Sequence, residues 1–257
     1  MSNPSLRTEN LTIRFGGHAA VNGVTCAFVP DELTVIVGPN GAGKTTWFNL
    51  VSGQLAPTEG RIFKGDVDIT RLPPSARARA GIGRAFQLTN LFPLLPVREN
   101  VRLAVQARRG VGPSLFRSAA SFRDIADEAE AYLERTRLSP VADLPASALP
   151  HGDQRKLEVA LLMAMQPDIY MFDEPTAGMS VDEAPVILEL IADIKQDRSK
   201  TILLVEHKMD VVRALADRIV VLHNGELIAD GDPSEVMALP LVREIYLGVG
   251  AEDEEAA

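Results

Sequence analysis

The chain has 257 residues, of which 46% are hydrophobic and 24% charged. This is the composition of a globular protein of one large domain or slightly more, and it excludes a mainly disordered chain. One cysteine, Cys26, excludes internal disulfides and cysteine zinc clusters, and 26 basic against 35 acidic residues give a net charge of −9, which disfavours wrapping nucleic acid by bulk charge.

The first ten residues are polar and do not read as a signal peptide. No run of about 18 apolar residues exists, so any work at a membrane passes through a partner. No repeat of 20 to 50 residues is visible.

In chain order, Leu11 to Phe15 and Val24 to Val29 read as strands around a Gly16-Gly17 turn region. Leu33 to Val37 is a β-branched apolar run that ends at Gly38, and Thr45 to Val51 reads as a helix. Arg71, Arg77, Arg79 and Arg84 read as a solvated helix face, since no aromatics interleave with them. Five prolines punctuate 88–149, at 93, 96, 113, 140 and 145, and the patterns between them are helical. There, Ile125, Ala129, Tyr132 and Leu133 share one helix face.

The chain then alternates. A helix is expected over about 153–166, with Met163 and Met165 as core, followed by a strand at Ile169 to Phe172. A helix over about 183–195 turns Ile187, Leu190, Ile191 and Ile194 to one side. Strand Thr201 to Val205, a helix near 209–216 and strand Arg218 to Leu222 follow. Asn224-Gly225 then signals a hairpin into Leu227 and Ile228. Such alternation predicts an α/β fold with a mainly parallel sheet covered on both faces. His18 and His223 read as surface histidines, Trp47 as structural, and the acidic end at 251–257 as a solvated tail.

Gly38-Pro39-Asn40-Gly41-Ala42-Gly43-Lys44-Thr45 matches the phosphate-loop pattern G-x-x-x-x-G-K-[ST] in full, between a strand and a helix. Glycines let backbone N–H groups curl around phosphates, and a helix start favours an anion. Lys44 would reach the β- and γ-phosphates, Thr45 would ligate Mg²⁺, and Thr46 continues the cradle. Asp173, at the end of Ile169-Tyr170-Met171-Phe172, supplies the carboxylate expected to hold Mg²⁺. Glu174 follows it and would polarise the attacking water as general base. The pattern therefore points to a phosphate-bearing ligand and Mg²⁺.

From these residues onward the chain resembles an ABC ATPase over about 10–245. Phe86-Gln87 resembles the glutamine loop, and Leu149-Pro150-His151-Gly152-Asp153-Gln154 occupies the place of the LSGGQ signature. Asp173-Glu174-Pro175-Thr176 resembles the extended carboxylate motif, Ala177-Gly178-Met179-Ser180 the D-loop, and Val205-Glu206-His207 the switch histidine. Phe15 lies where the family stacks a ring on adenine. Gly-Ile-Gly-Arg-Ala-Phe-Gln at 81–87, Val205 to Asp210 and Ile245-Tyr246-Leu247-Gly248 are similar to importers of branched-chain and other hydrophobic amino acids, with urea and amide importers close behind.

The resemblance implies an ATP-binding core over 1–87 and 152–250, built as a P-loop NTPase of RecA-like type with an N-terminal antiparallel β subdomain. It implies an inserted helical subdomain over 88–151. It implies an ATPase that pairs head to tail with a second cassette, identical or related, so that each nucleotide lies between one chain's phosphate loop and the other's Leu149 to Asp153. Gln87 would sense Mg²⁺ and water, and His207 would orient the water. Permease subunits, and indirectly a solute-binding protein, would be partners at the cytoplasmic side of the membrane, with no nucleic acid.

The departures from the family pattern are local. Pro150 stands for the signature serine, His151 for a glycine, Asp153 for the glutamine, and Ser180 for the D-loop aspartate. Pro150 suits a helix start. Asp153 needs Arg155 or Lys156 to offset its charge near phosphate. Three rival readings are a soluble ABC protein, a poorly hydrolysing regulatory subunit and a P-loop kinase. The first needs a second cassette or long coiled coil that does not fit, and the last lacks an acceptor lid.

Overall fold

The computed structural model describes residues 4–85, 91–110, 119–180 and 182–247. The strands are β1 (Leu6–Phe15), β2 (His18–Phe28), β3 (Glu32–Val37), β4 (Glu59–Lys64), β5 (Val67–Asp68), β6 (Ile82–Ala85), β7 (Ile169–Asp173), β8 (Thr201–Val205), β9 (Arg218–His223) and β10 (Glu226–Gly231). The helices are α1 (Lys44–Ser52), α2 (Pro74–Arg79), α3 (Val97–Arg108), α4 (Ala119–Arg135), α5 (His151–Met165), α6 (Ala184–Lys195), α7 (Met209–Leu215), α8 (Pro233–Ala238) and α9 (Pro240–Leu247).

Two sheets form. The first has the order β2-β1-β4-β5 and is antiparallel in every pairing. The second has the order β10-β9-β3-β8-β7-β6, in which β9, β3, β8 and β7 run parallel and β10 closes antiparallel on β9. The central strands Leu33–Val37, Ile169–Phe172 and Ile202–Val205 are buried on both faces, as their unbroken apolar runs require. The expected α/β class with a mainly parallel sheet and an N-terminal antiparallel sheet is what the chain adopts.

The first compact unit, the chain through Ile82, Asp168–Glu174 and the part from Asp197 onward, holds β1 to β5 and β7 to β10. One apolar cluster runs through it, from Leu6, Leu11 and Phe28 through Trp47 and Phe48 to Met171, Leu203 and Leu222. Trp47 is 1% exposed with its ring between those of Phe28 and Phe48, so it is structural, as expected. The described residues of the second unit, Gly83–Pro167 and Pro175–Gln196, form most of β6 and the helices α3 to α6. Ile125, Ala129, Tyr132 and Leu133 of α4 are buried in it, as are Ile187, Leu190, Ile191 and Ile194 of α6.

Three local readings change. β1 starts at Leu6 and β2 at His18, so the hairpin is longer than the alternation predicts. Asn10 takes a φ of 48° and donates its N–H to Thr25 Oγ1, and the register shifts between Thr8 and Leu11, which breaks the alternation. His223 is half-buried at the end of β9, whereas His18 is exposed. The arginine group is not one solvated face: Arg71 and Arg79 are exposed, but Arg77 is 1% exposed. The hairpin at Asn224-Gly225 forms with φ of 48° and 81°, a primed turn that matches strand twist.

Candidate functional site

Three parallel strands deliver the first unit's polar groups to one edge of the sheet. β8 pairs with β3 on one side and β7 on the other, with Ile36 and Asp173 both in register with Val205. The glycine turn after β3, the acids at the end of β7 and Glu206-His207 after β8 therefore leave the same carboxyl edge. Adjacent strands are about 4.8 Å apart, so this edge spans about 10 Å. Open parallel sheets bind ligands at such edges.

The turn is built for an anion. Gly43 caps α1 with φ of 96°, and a Cβ there would lie 2.4 Å from the Ala20 carbonyl oxygen. Only glycine fits both the conformation and the space. No side chain caps the start of α1, so its first amides are left for a ligand. The turn itself is held from behind, where the Gly225 N–H donates to the Ala42 carbonyl.

Lys44 is 7% exposed and its Nζ donates to the Gly38 carbonyl at 2.6 Å and the Pro39 carbonyl at 3.1 Å. Burial holds its pKa below the ordinary lysine value, while the charges of Glu174 and Asp173 oppose that shift. Thr45 is exposed beside it. Asp173 is 8% exposed, and Glu174 has a φ of 50° while its N–H donates to the Val205 carbonyl at 3.0 Å. A left-handed glutamate is costly backbone, of the kind concentrated at functional sites.

A hydroxyl and a carboxylate are hard oxygen donors that suit Mg²⁺, which takes few protein ligands and fills the rest with water and phosphate oxygens. Thr45 and Asp173 fit that role. Nucleotide phosphates fit the open amides of α1 and the ammonium of Lys44.

His207 is exposed, and its N–H donates to Glu206 Oε2 at 3.1 Å with Nδ1 3.7 Å from the same oxygen. Glu206 is fully buried; sequence reasoning quoted it only as the neighbour of His207 and gave it no role of its own. Phe15 ends β1 with 54% of its surface exposed, which leaves a ring free for stacking. Gln87 lies outside the described residues.

The second unit places the signature segment at the start of α5. Pro150 is the N-cap, with φ −56° and ψ 158°, and its carbonyl accepts from the Gln154 N–H at 3.0 Å. The helix itself starts at His151, one residue after the proline. The Gln154 side chain donates to the Leu149 carbonyl at 2.9 Å. Lys156 Nζ, not Arg155, offsets Asp153, at 2.8 Å, since Arg155 pairs with Glu158 at 3.2 Å. Burial raises the Glu158 pKa, and Arg155 opposes the rise.

Ser180 donates both its N–H, at 3.2 Å, and its hydroxyl, at 2.9 Å, to Glu183 Oε2. These bonds lower the Glu183 pKa, the backbone bond first. The carboxylate then lies over Gly152, where a Cβ would come within 2.1 Å of Oε1. Sequence reasoning passed over Glu183, although Ser-x-x-Glu at 180–183 is a capping-box pattern.

Residues 21–177 match the ABC transporter family. The high-affinity branched-chain amino acid transport ATP-binding protein LivG of Escherichia coli K12 is 41% identical, covering 96% of this chain and 99% of its own length. BraF of Pseudomonas aeruginosa, of the same description, is 38% identical over 96% of this chain and 99% of its own. Among solved structures, the ADP conformation of MJ1267, an ATP-binding cassette of an ABC transporter, is 30% identical with a TM-score of 0.79, covering 96% of this chain and 99% of that one. With the phosphate turn, the two adjacent acids and the signature segment in this order on this fold, the chain belongs to the ABC transporter family.

Proposed function

We propose that the chain is the ATP-binding and hydrolysing subunit of an importer for branched-chain or other hydrophobic amino acids. The observation that carries the chemistry is one sheet edge holding an uncapped helix start, the buried Lys44 and the Asp173-Glu174 pair. The names of the relatives at 41% and 38% identity support the solute class.

In this reading, amides from Gly41 to Thr46 and the Lys44 ammonium grip the β- and γ-phosphates. Phe15 stacks on adenine. Thr45, Asp173 and Gln87 hold Mg²⁺, which when bound screens phosphate charge. Glu174 accepts a proton from the attacking water, and His207, steadied by Glu206, orients that water. Leu149, Pro150, His151, Gly152 and Asp153 face the nucleotide of a second cassette, identical or related. A γ-phosphate between the two chains favours the closed pair, and its hydrolysis reopens it.

Permease subunits at the cytoplasmic face of the membrane receive that motion, and a solute-binding protein supplies the solute. No helix among the described residues is long and apolar enough to cross a membrane. The relatives' description as transport ATP-binding proteins supports a peripheral position. The test is reconstitution with the permease, binding protein and any second cassette that co-purify. ATP-dependent uptake of leucine, isoleucine or valine is expected. Uptake of urea or amides alone would reassign the solute, and ATPase activity that ignores the permease would favour a soluble role.

A further inference from the structure

We propose that Arg77 is a positioning residue for the phosphate site, gripping α1 from its far end and favouring ligands of higher negative charge. This rests on the nucleotide-binding reading above. Arg77 sits in the short helix α2 and is 1% exposed. Its Nη1 donates to the Leu50 and Val51 carbonyls, at 2.6 and 2.7 Å. These belong to the last turn of α1, whose first amides form the phosphate cradle. Its Nε donates to the Leu72 carbonyl at 3.0 Å and its Nη2 to the Thr70 carbonyl at 2.8 Å. Four of the five guanidinium N–H donors thus meet neutral main-chain acceptors.

The surroundings are shaped to admit the guanidinium. Gly53 ends α1 with φ of 83°, and a Cβ there would lie 2.9 Å from Arg77 Nε. Burial lowers the Arg77 pKa to about 10, still cationic at neutral pH, and the charge of Asp68 opposes the shift. Asp68 itself is exposed, so solvent screens it.

The consequence is electrostatic. The last carbonyls of α1 form the negative pole of the helix, and the cradle amides form the positive pole. A buried cation on the negative pole cancels it and leaves the positive pole less opposed. α1 has nine residues, so the cation lies about 13 Å behind the amides. Through protein rather than water, such a charge still acts on phosphates at that distance. A triphosphate carries one more negative charge than a diphosphate, so ATP gains more from Arg77 than ADP does.

The test is titration of MgATP and MgADP into the full chain by calorimetry. Arg77→Gln should lower the ATP-to-ADP affinity ratio by roughly three- to sixfold. A residue that only held the fold together would weaken both nucleotides alike. Arg77→Lys is the second arm and serves if the Gln protein does not fold. Its ratio should match that of the unsubstituted chain near neutral pH, then fall below it at alkaline pH as the buried amine loses its proton. The unsubstituted chain at each pH corrects for Lys44. A folded Gln variant with an unchanged ratio, or a Lys variant that tracks the unsubstituted chain at every pH, overturns this proposal alone. Failure of the unsubstituted chain to bind either nucleotide overturns the phosphate-site reading and this proposal with it.

Discussion

The phosphate turn of the first unit and the signature segment of the second solve opposite problems. Around the turn, main-chain donors are left open: α1 has no side-chain cap and Thr45 is exposed, although Lys44 itself rests on two carbonyls of its own loop. Around the signature, polar groups are closed on one another: Asp153 with Lys156, Arg155 with Glu158, and Ser180 with Glu183. A site that meets a small anion stays open within its own chain. A segment proposed to meet a second cassette can satisfy itself locally until that partner arrives.

The largest expected effect falls on the open side. Glu174→Gln keeps the shape but removes the proton acceptor, so ATP turnover should fall by about 10²-fold or more. Binding should persist, and an ATP-bound dimer should accumulate in light scattering. Near-normal turnover would remove Glu174 from its role.

Next comes pH. Lys44 already titrates below its ordinary 10.5 because it is buried. A bound phosphate favours the ammonium and raises its pKa. ATP affinity is therefore full below the pKa of the free site and is lost as pH rises through it, by up to about tenfold per unit until the bound-state pKa is reached. Calorimetric titration from pH 7 upward reads this. A flat profile into the ordinary lysine range would separate Lys44 from the phosphates.

The closed side should respond more modestly. Gly152→Ala drives a methyl toward the Glu183 carboxylate, the movable end of a side chain, and should cost about 1 kcal/mol or less in thermal unfolding. Adding Glu183→Ala should recover most of that loss. If the double substitution is no better than the single one, the Gly152–Glu183 contact is not what fixes the glycine. Smallest of all, Pro150→Ser places a hydroxyl where the backbone already has N-cap geometry. It should stabilise α5 by about 0.5–1 kcal/mol and tighten ATP-dependent dimerisation. Weaker dimerisation would show that a serine hydroxyl at this position adds nothing to the pairing.

What sequence reasoning could reach follows the same divide. The phosphate turn is legible because its glycines encode backbone shape, and backbone shape is local. The parallel strands are legible because burial on both faces leaves unbroken apolar runs such as Ile202 to Val205. Pro150 as a helix starter is legible to within one residue. Arg77 was not, because its acceptors at Leu50, Val51, Thr70 and Leu72 are main-chain carbonyls, which every sequence has and no motif marks. Glu206 was hidden for a similar reason: only burial sets it apart from any acid after a strand. Glu183 was marked by Ser-x-x-Glu, but its contact with Gly152 spans thirty-one positions of sequence and needs the fold.

The account stands on the glycine turn gripping a triphosphate. A crystal structure with Mg²⁺ and a non-hydrolysable ATP analogue tests it most directly. Lys44 Nζ should leave the Gly38 and Pro39 carbonyls for the β- and γ-phosphates, with the amides from Gly41 to Thr46 around them. A nucleotide bound elsewhere, with Lys44 still on its own loop, would contradict it.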